Sequence, residues 1–98
     1  MQATSLTTLE RIVSATRKEY EQGLKQALPG GVSGGPDFFF LTEGEVEIRI
    51  DIESHPDLVI ALMRLPRLKA TWHFVSGSDE AKADLLKRID WSMKRGGG

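Results

Sequence analysis

The run "DIESHPD", Asp51 to Asp57, packs three carboxylates and one imidazole into seven residues. In an extended chain alternate side chains share a face, so Asp51 and Glu53 stand side by side and His55 bends in from the proline turn that follows. Oxygen and imidazole donors in that order could hold a divalent ion, or serve as an acid–base pair. Asp51, Glu53 and His55 are therefore the metal-ligand candidates. The same spacing also describes a solvated strand face running into a turn, and it calls for no cofactor. The second histidine, His73, could act in proton transfer only with a carboxylate in hydrogen-bond reach, and sequence distance alone does not place one.

Two glycine patterns mimic nucleotide or acyl chemistry and fail on context. "GVSGG", Gly31 to Gly35, matches the G-x-S-x-G elbow that exposes a nucleophilic serine, here Ser33. The elbow needs a strand before it and a helix after it, whereas a helical pattern precedes Ser33 and a strand pattern follows. Gly30 and Gly35 have the spacing of a phosphate loop, but Pro36 and Asp37 stand where the lysine and hydroxyl ligands belong. The chain has no cysteine, which removes thiolate metal sites, disulfides and cysteine nucleophiles together. An enzyme is the weaker reading, and the one that survives is acid–base or metal-dependent chemistry at Asp51, Glu53, His55, Asp57 or His73.

Binding is the stronger reading. Phe38, Phe39 and Phe40 are consecutive, so a strand must send Phe39 opposite to its neighbours, and the expectation is that it reaches an exposed face or a partner. Such an aromatic could also form a platform for a small ligand. Trp91 falls on the polar side of the last helical pattern, between Lys87 and Lys94, either lying over lysine stems or anchoring a partner. Arg11, Lys18 and Lys25 recur every seven residues beside Glu10 and Glu21, a basic line too sparse for a nucleic-acid groove. With 13 basic against 14 acidic residues and a net charge of −1, the chain has no general attraction to polyanions or anionic lipid.

These side chains need elements to position them. At 98 residues and 40% hydrophobic content, the chain is expected to form one domain with one core. From Leu6 to Leu28 the residues Leu6, Leu9, Val13, Thr16, Tyr20, Leu24 and Ala27 recur at three- and four-residue steps, which predicts an N-terminal helix. Thr7 and Glu10 form its capping box, and Pro29 with Gly30 its stop. Residues 29–37, with four glycines and two prolines, read as a flexible loop. Residues 38–42 then read as a short strand, with a turn at Glu43-Gly44.

In "EVEIRIDIE", Val46, Ile48, Ile50 and Ile52 alternate with Glu47, Arg49, Asp51 and Glu53, the pattern of a half-buried strand. "SHPD" turns the chain. "LVIALMRL", residues 58–65, is apolar on both faces and reads as a central strand, although Pro56 and Pro66 also bracket a short buried helix. Leu68, Ala70, Trp72 and Phe74 oppose Lys69, Thr71 and His73 in the next strand. Ser78 caps a final helix with an apolar stripe of Ala81, Leu85, Leu86, Ile89 and Met93.

The resulting fold class is an α+β two-layer sandwich, an antiparallel β-meander of three to four strands flanked by an N-terminal and a C-terminal α-helix packed on one sheet face. Its other face is open. "LVIALM" would line that face as an apolar stripe between an acidic bank (Glu47, Arg49, Asp51, Glu53) and a partly basic one (Lys69, Thr71, His73). Phe39, Arg49, Asp51, Glu53, His73 and Trp91 are the expected binding residues, and a homodimer or a protein partner the expected occupant.

The beginning of the chain lacks the basic and apolar regions of a secretory signal, and its longest aliphatic run is far too short for a membrane span, so a cytoplasmic protein without a membrane partner is expected. Gly96 to Gly98 could serve as an activated carrier tail, but such tails leave a final strand. Here the glycines follow a helix, and they are expected to end it and form a disordered tail.

Overall fold

The computed structural model describes residues 7–97. Leu6 and Gly98 lie outside them, as do the side chains of Lys94 and Arg95. In chain order the elements are β1 (Thr8–Val13), α1 (Arg17–Ala27), β2 (Val32–Gly34), β3 (Phe38–Glu43), β4 (Val46–Ile60), β5 (Met63–Ser76) and α2 (Asp79–Gly97). All strand pairs are antiparallel, and the five-stranded sheet has the order β1-β5-β4-β3-β2. Both helices cover one face. The architecture is the expected two-layer α+β sandwich, with more strands than the sequence reading assigned.

The N-terminal helix is half the length expected. Residues 8–13 form β1 against β5, and α1 begins only at Arg17. A step of four residues belongs to both periods, so Leu9 and Val13 share a face in a strand as well as in a helix. Between them Arg11 also faces the core side. Its charge hides the alternation, and Asp90 of α2 satisfies it through a two-pronged ion pair in which Nη2 donates to Oδ2 at 2.9 Å. The capping box therefore lies one element later. Thr16 Oγ1 accepts from the Glu19 amide at 3.2 Å, and Glu19 accepts from the Thr16 amide at 2.9 Å.

The glycine loop is largely tied down. Val32–Gly34 pairs with Leu41–Phe39 as β2, Thr42 N–H donates to Gly31 O at 2.9 Å, and Arg17 donates from Nε to Pro36 O at 2.7 Å and from Nη2 to Gly35 O. Glycine is required for space at Gly34, where a Cβ would sit 2.4 Å from Phe38 O and 2.8 Å from Phe39 Cα.

The largest correction concerns "LVIALM". It is neither a separate central strand nor a helix, but the tip of a long hairpin, with Ile60 paired to Met63 across Ala61-Leu62. "SHPD" does not reverse the chain, because a bulge between His55 and Leu58 absorbs Pro56 and Asp57 within β4. Proline is tolerated there because β3 pairs no further along β4 than Asp51, so Pro56 lies on an edge.

The core is built from Val46, Ile48, Ile50 and Ile52 of β4, Leu68, Ala70, Trp72 and Phe74 of β5, Phe39 and Leu41 of β3, Tyr20, Leu24 and Leu28 around α1, and Leu85 and Ile89 of α2. The alternation of β4 and β5 thus lies on the expected side. Ser78 caps α2 as expected, its Oγ accepting from the Ala81 amide at 3.1 Å. Gly23 faces Met93, and a Cβ there would be 3.0 Å from Met93 Cε, so α1 and α2 pack closely at this point. The helix α2 continues through Gly97. Gly96 and Gly97 extend the helix they were expected to end, because glycine lowers helix stability by about 1 kcal/mol without blocking it sterically.

Candidate functional site

The uncovered face of the sheet is built from the alternate residues that the core does not use. The strand register aligns them in rows. Ser33, Phe40, Arg49, His73 and Thr8 form one row, Phe38, Asp51, Thr71 and Glu10 the next, and Glu53, Lys69 and Ile12 the third. Arg49, Asp51, Glu53 and His73 all stand on this face, as the sequence pattern implied.

Asp51 is the centre of the arrangement. Its Oδ1 accepts from Arg49 Nε at 2.9 Å, and its Oδ2 lies 3.0 Å from His73 Nε2. The Arg49 hydrogen bond holds the Asp51 carboxyl below the usual carboxylate range, with burial opposing and His73 reinforcing. The Arg49 guanidinium also lies over the Phe38 ring, 4.6 Å from its centroid. In the third row Lys69 pairs with Glu10 of β1 at 3.1 Å, and that hydrogen bond raises the ammonium above its ordinary value, helped by Glu53. Arg49 and Asp51 thus pair along β4, while Lys69 pairs with Glu10 of β1 and stands opposite Glu53 of β4.

The carboxylate that His73 needed for proton transfer is thus Asp51, brought to it across the β4–β5 pair. The metal candidates do not converge. Both Asp51 oxygens are engaged, His55 lies opposite Arg67, and among the described residues no group of three or more histidine or acidic side chains is placed to hold an ion.

Two of the expected binding residues lie elsewhere. Phe39 is buried, 1% exposed, on the helix side of the sheet, with its ring 6.3 Å from Tyr20 and the Arg17 guanidinium 4.8 Å from its centroid. Alternation separates Phe39 from Phe38 and Phe40 whichever way the strand faces. The β3–β4 register, which sets Phe39 beside buried Ile50, turns the other two rings to the open face. Trp91 is exposed on α2, in the helix layer, so it does not join the Asp51 cluster on the opposite face.

Comparison with family models, curated proteins and solved structures gives no match. The surface must be read from its own geometry.

The feature sequence reading missed is the ribbon formed by the distal halves of β4 and β5. β3 pairs no further than Asp51 and β1 no further than Leu68, so among the described residues, 55–60 and 63–67 pair only with each other. Along β5, Leu65 and Met63 have the parity of Lys69 and Thr71, which places them, with their partners Leu58 and Ile60, on the open-face side of the ribbon. Val59 and Arg64 take the other side. Leu62 ends the hairpin fully exposed. The signal was present as an aliphatic run with no helical or strand period, bracketed by Pro56 and Pro66. No helix among the described residues is long and apolar enough to cross a membrane.

Proposed function

We propose that the chain is a small interaction module that self-associates through the open face of its sheet. One observation carries this reading. Ile12, Ile60, Met63 and Val75 lie on one side of the sheet and its ribbon, and each remains 45 to 58% exposed. Four large aliphatic side chains on one surface favour a cover that removes them from water, at roughly 25 cal/mol for each Å² buried. The mixed charges around them suit a second copy, since a two-fold operation sets each patch against the same patch, where groups of both signs can find opposites. Sedimentation velocity from low micromolar concentration upward is the test. A two-copy species that weakens in Val75→Glu is expected, and a strict monomer at every concentration overturns the reading.

The pairing of Asp51 with His73 supports a second reading, an acid–base catalyst in which Asp51 orients the imidazole. Screening the purified chain for hydrolysis of activated esters separates the two. Turnover that is lost in both His73→Gln and Asp51→Asn would favour catalysis.

A further inference from the structure

Resting on the self-association proposed above, we infer that two copies are joined by reciprocal arms, the ribbon of each lying along the open face of the other. The arm has the length for it. Residues 55–60 span about 20 Å at about 3.3 Å per residue, and the part of β4 inside the sheet body, 46–54, spans about 30 Å. An arm from one copy therefore covers about two thirds of the length of the body of the other.

The arm also has the chemistry. Leu58, Ile60, Met63 and Leu65 lie on the side that the open face shares, so one continuous surface supplies both halves of the contact. A two-fold axis near Lys69 of β5 sets Met63 of each copy over Val75 of the other, two aliphatic side chains that are each 58% exposed. Arg67, two residues from the axis, then falls over Thr71, whose cross-strand neighbours are Asp51 and Glu10. A cation from the arm, its Nε donating to Pro56 O, thus comes as a second positive neighbour to two carboxylates that already pair with Arg49 and Lys69. The two Lys69 ammoniums nearest the axis are each already paired with Glu10, so their mutual repulsion is reduced. Among the described residues neither edge of the ribbon is paired beyond Ile52 and Leu68, which leaves the arm free to lie against another surface.

The absence of native cysteine makes the test direct. In the double variant Met63→Cys/Val75→Cys the two thiols stand twelve residues apart on one strand, about 40 Å, so they cannot bridge within a copy. Mild oxidation is expected to give a covalent dimer on a non-reducing gel, and neither single variant is expected to do so. In parallel, Leu62→Asp/Met63→Asp changes only exposed tip residues. It is expected to keep the wild-type circular dichroism spectrum and to raise the dimer dissociation constant at least a hundredfold. A monomeric wild type overturns both the clasp and the self-association beneath it. A dimer whose dissociation constant is unchanged in the tip variant, or whose 63–75 disulfide does not form, overturns the clasp alone and assigns the tip to another occupant, such as a lipid surface or a different protein.

Discussion

Trp72 of β5 donates its indole N–H to the hydroxyl of Tyr20 on α1 at 3.0 Å, and both residues are buried. This bond ties the helix layer to the centre of the sheet. Substituting Tyr20→Phe keeps the ring against Phe39 but leaves the indole donor without its acceptor, and an unsatisfied buried polar group costs about 1 to 3 kcal/mol. Chemical denaturation at pH 7 is expected to show a loss in that range, with no change in the slope against denaturant.

The same burial governs the alkaline limit of stability. Removal from water pushes the Tyr20 hydroxyl up to about 12, against about 10 in an unfolded chain. Between these values the unfolded state has released a proton that the native state still holds, so stability falls as pH rises through that window. A shift of about two units corresponds to about 3 kcal/mol, most of it lost by pH 12. Tyr20 is the only tyrosine, so its ultraviolet titration reads the group directly, and Tyr20→Phe is expected to remove most of the decline.

Two threonine-to-alanine variants test where the first helix begins. Thr16 is the cap of α1, with both bonds of the capping box formed, so Thr16→Ala is expected to cost about 1 kcal/mol. Thr7 precedes β1 and uses its backbone carbonyl to accept from the Phe74 amide. Thr7→Ala preserves that carbonyl, and thermal melts are expected to leave it close to wild type.

Two hairpins of the sheet, β3–β4 and β4–β5, make a natural comparison. Each closes with a two-residue loop whose first residue has positive φ, Gly44 at 59° between β3 and β4 and Ala61 at 53° between β4 and β5. Glycine accepts that backbone freely, whereas a Cβ costs about 1 kcal/mol or more there. Ala61→Gly is expected to stabilise the ribbon by up to about 1 kcal/mol, read as slower amide exchange at residues 58–65.

The sequence by itself determined the elements whose burial is one-sided and local. Val46 to Ile52 alternates because one strand face meets the core, and the stripe from Ala81 to Met93 recurs as a helix does for the same reason. The Ser78 cap was legible because it needs only neighbours three residues away. The α+β class followed from those patterns, and so did the placement of Arg49, Asp51, Glu53 and His73 on the face opposite the apolar residues.

Tertiary structure decided what local period leaves degenerate. The spacing of Leu9 and Val13 fits helix and strand alike, and pairing with β5 chose the strand. Three consecutive phenylalanines look the same from both faces until the register with β4 buries Phe39 and turns the half-buried Phe38 and Phe40 to the open face. Asp51 and His73 stand 22 residues apart in sequence and 3.0 Å apart in space because the β4–β5 register sets Arg49 beside His73 and Asp51 beside Thr71. "LVIALM" is apolar enough for a core, yet β1 and β3 end before they reach it. Hydrophobicity states what a segment gains by burial, and only the lengths of its neighbours determine whether anything within the chain is there to bury it.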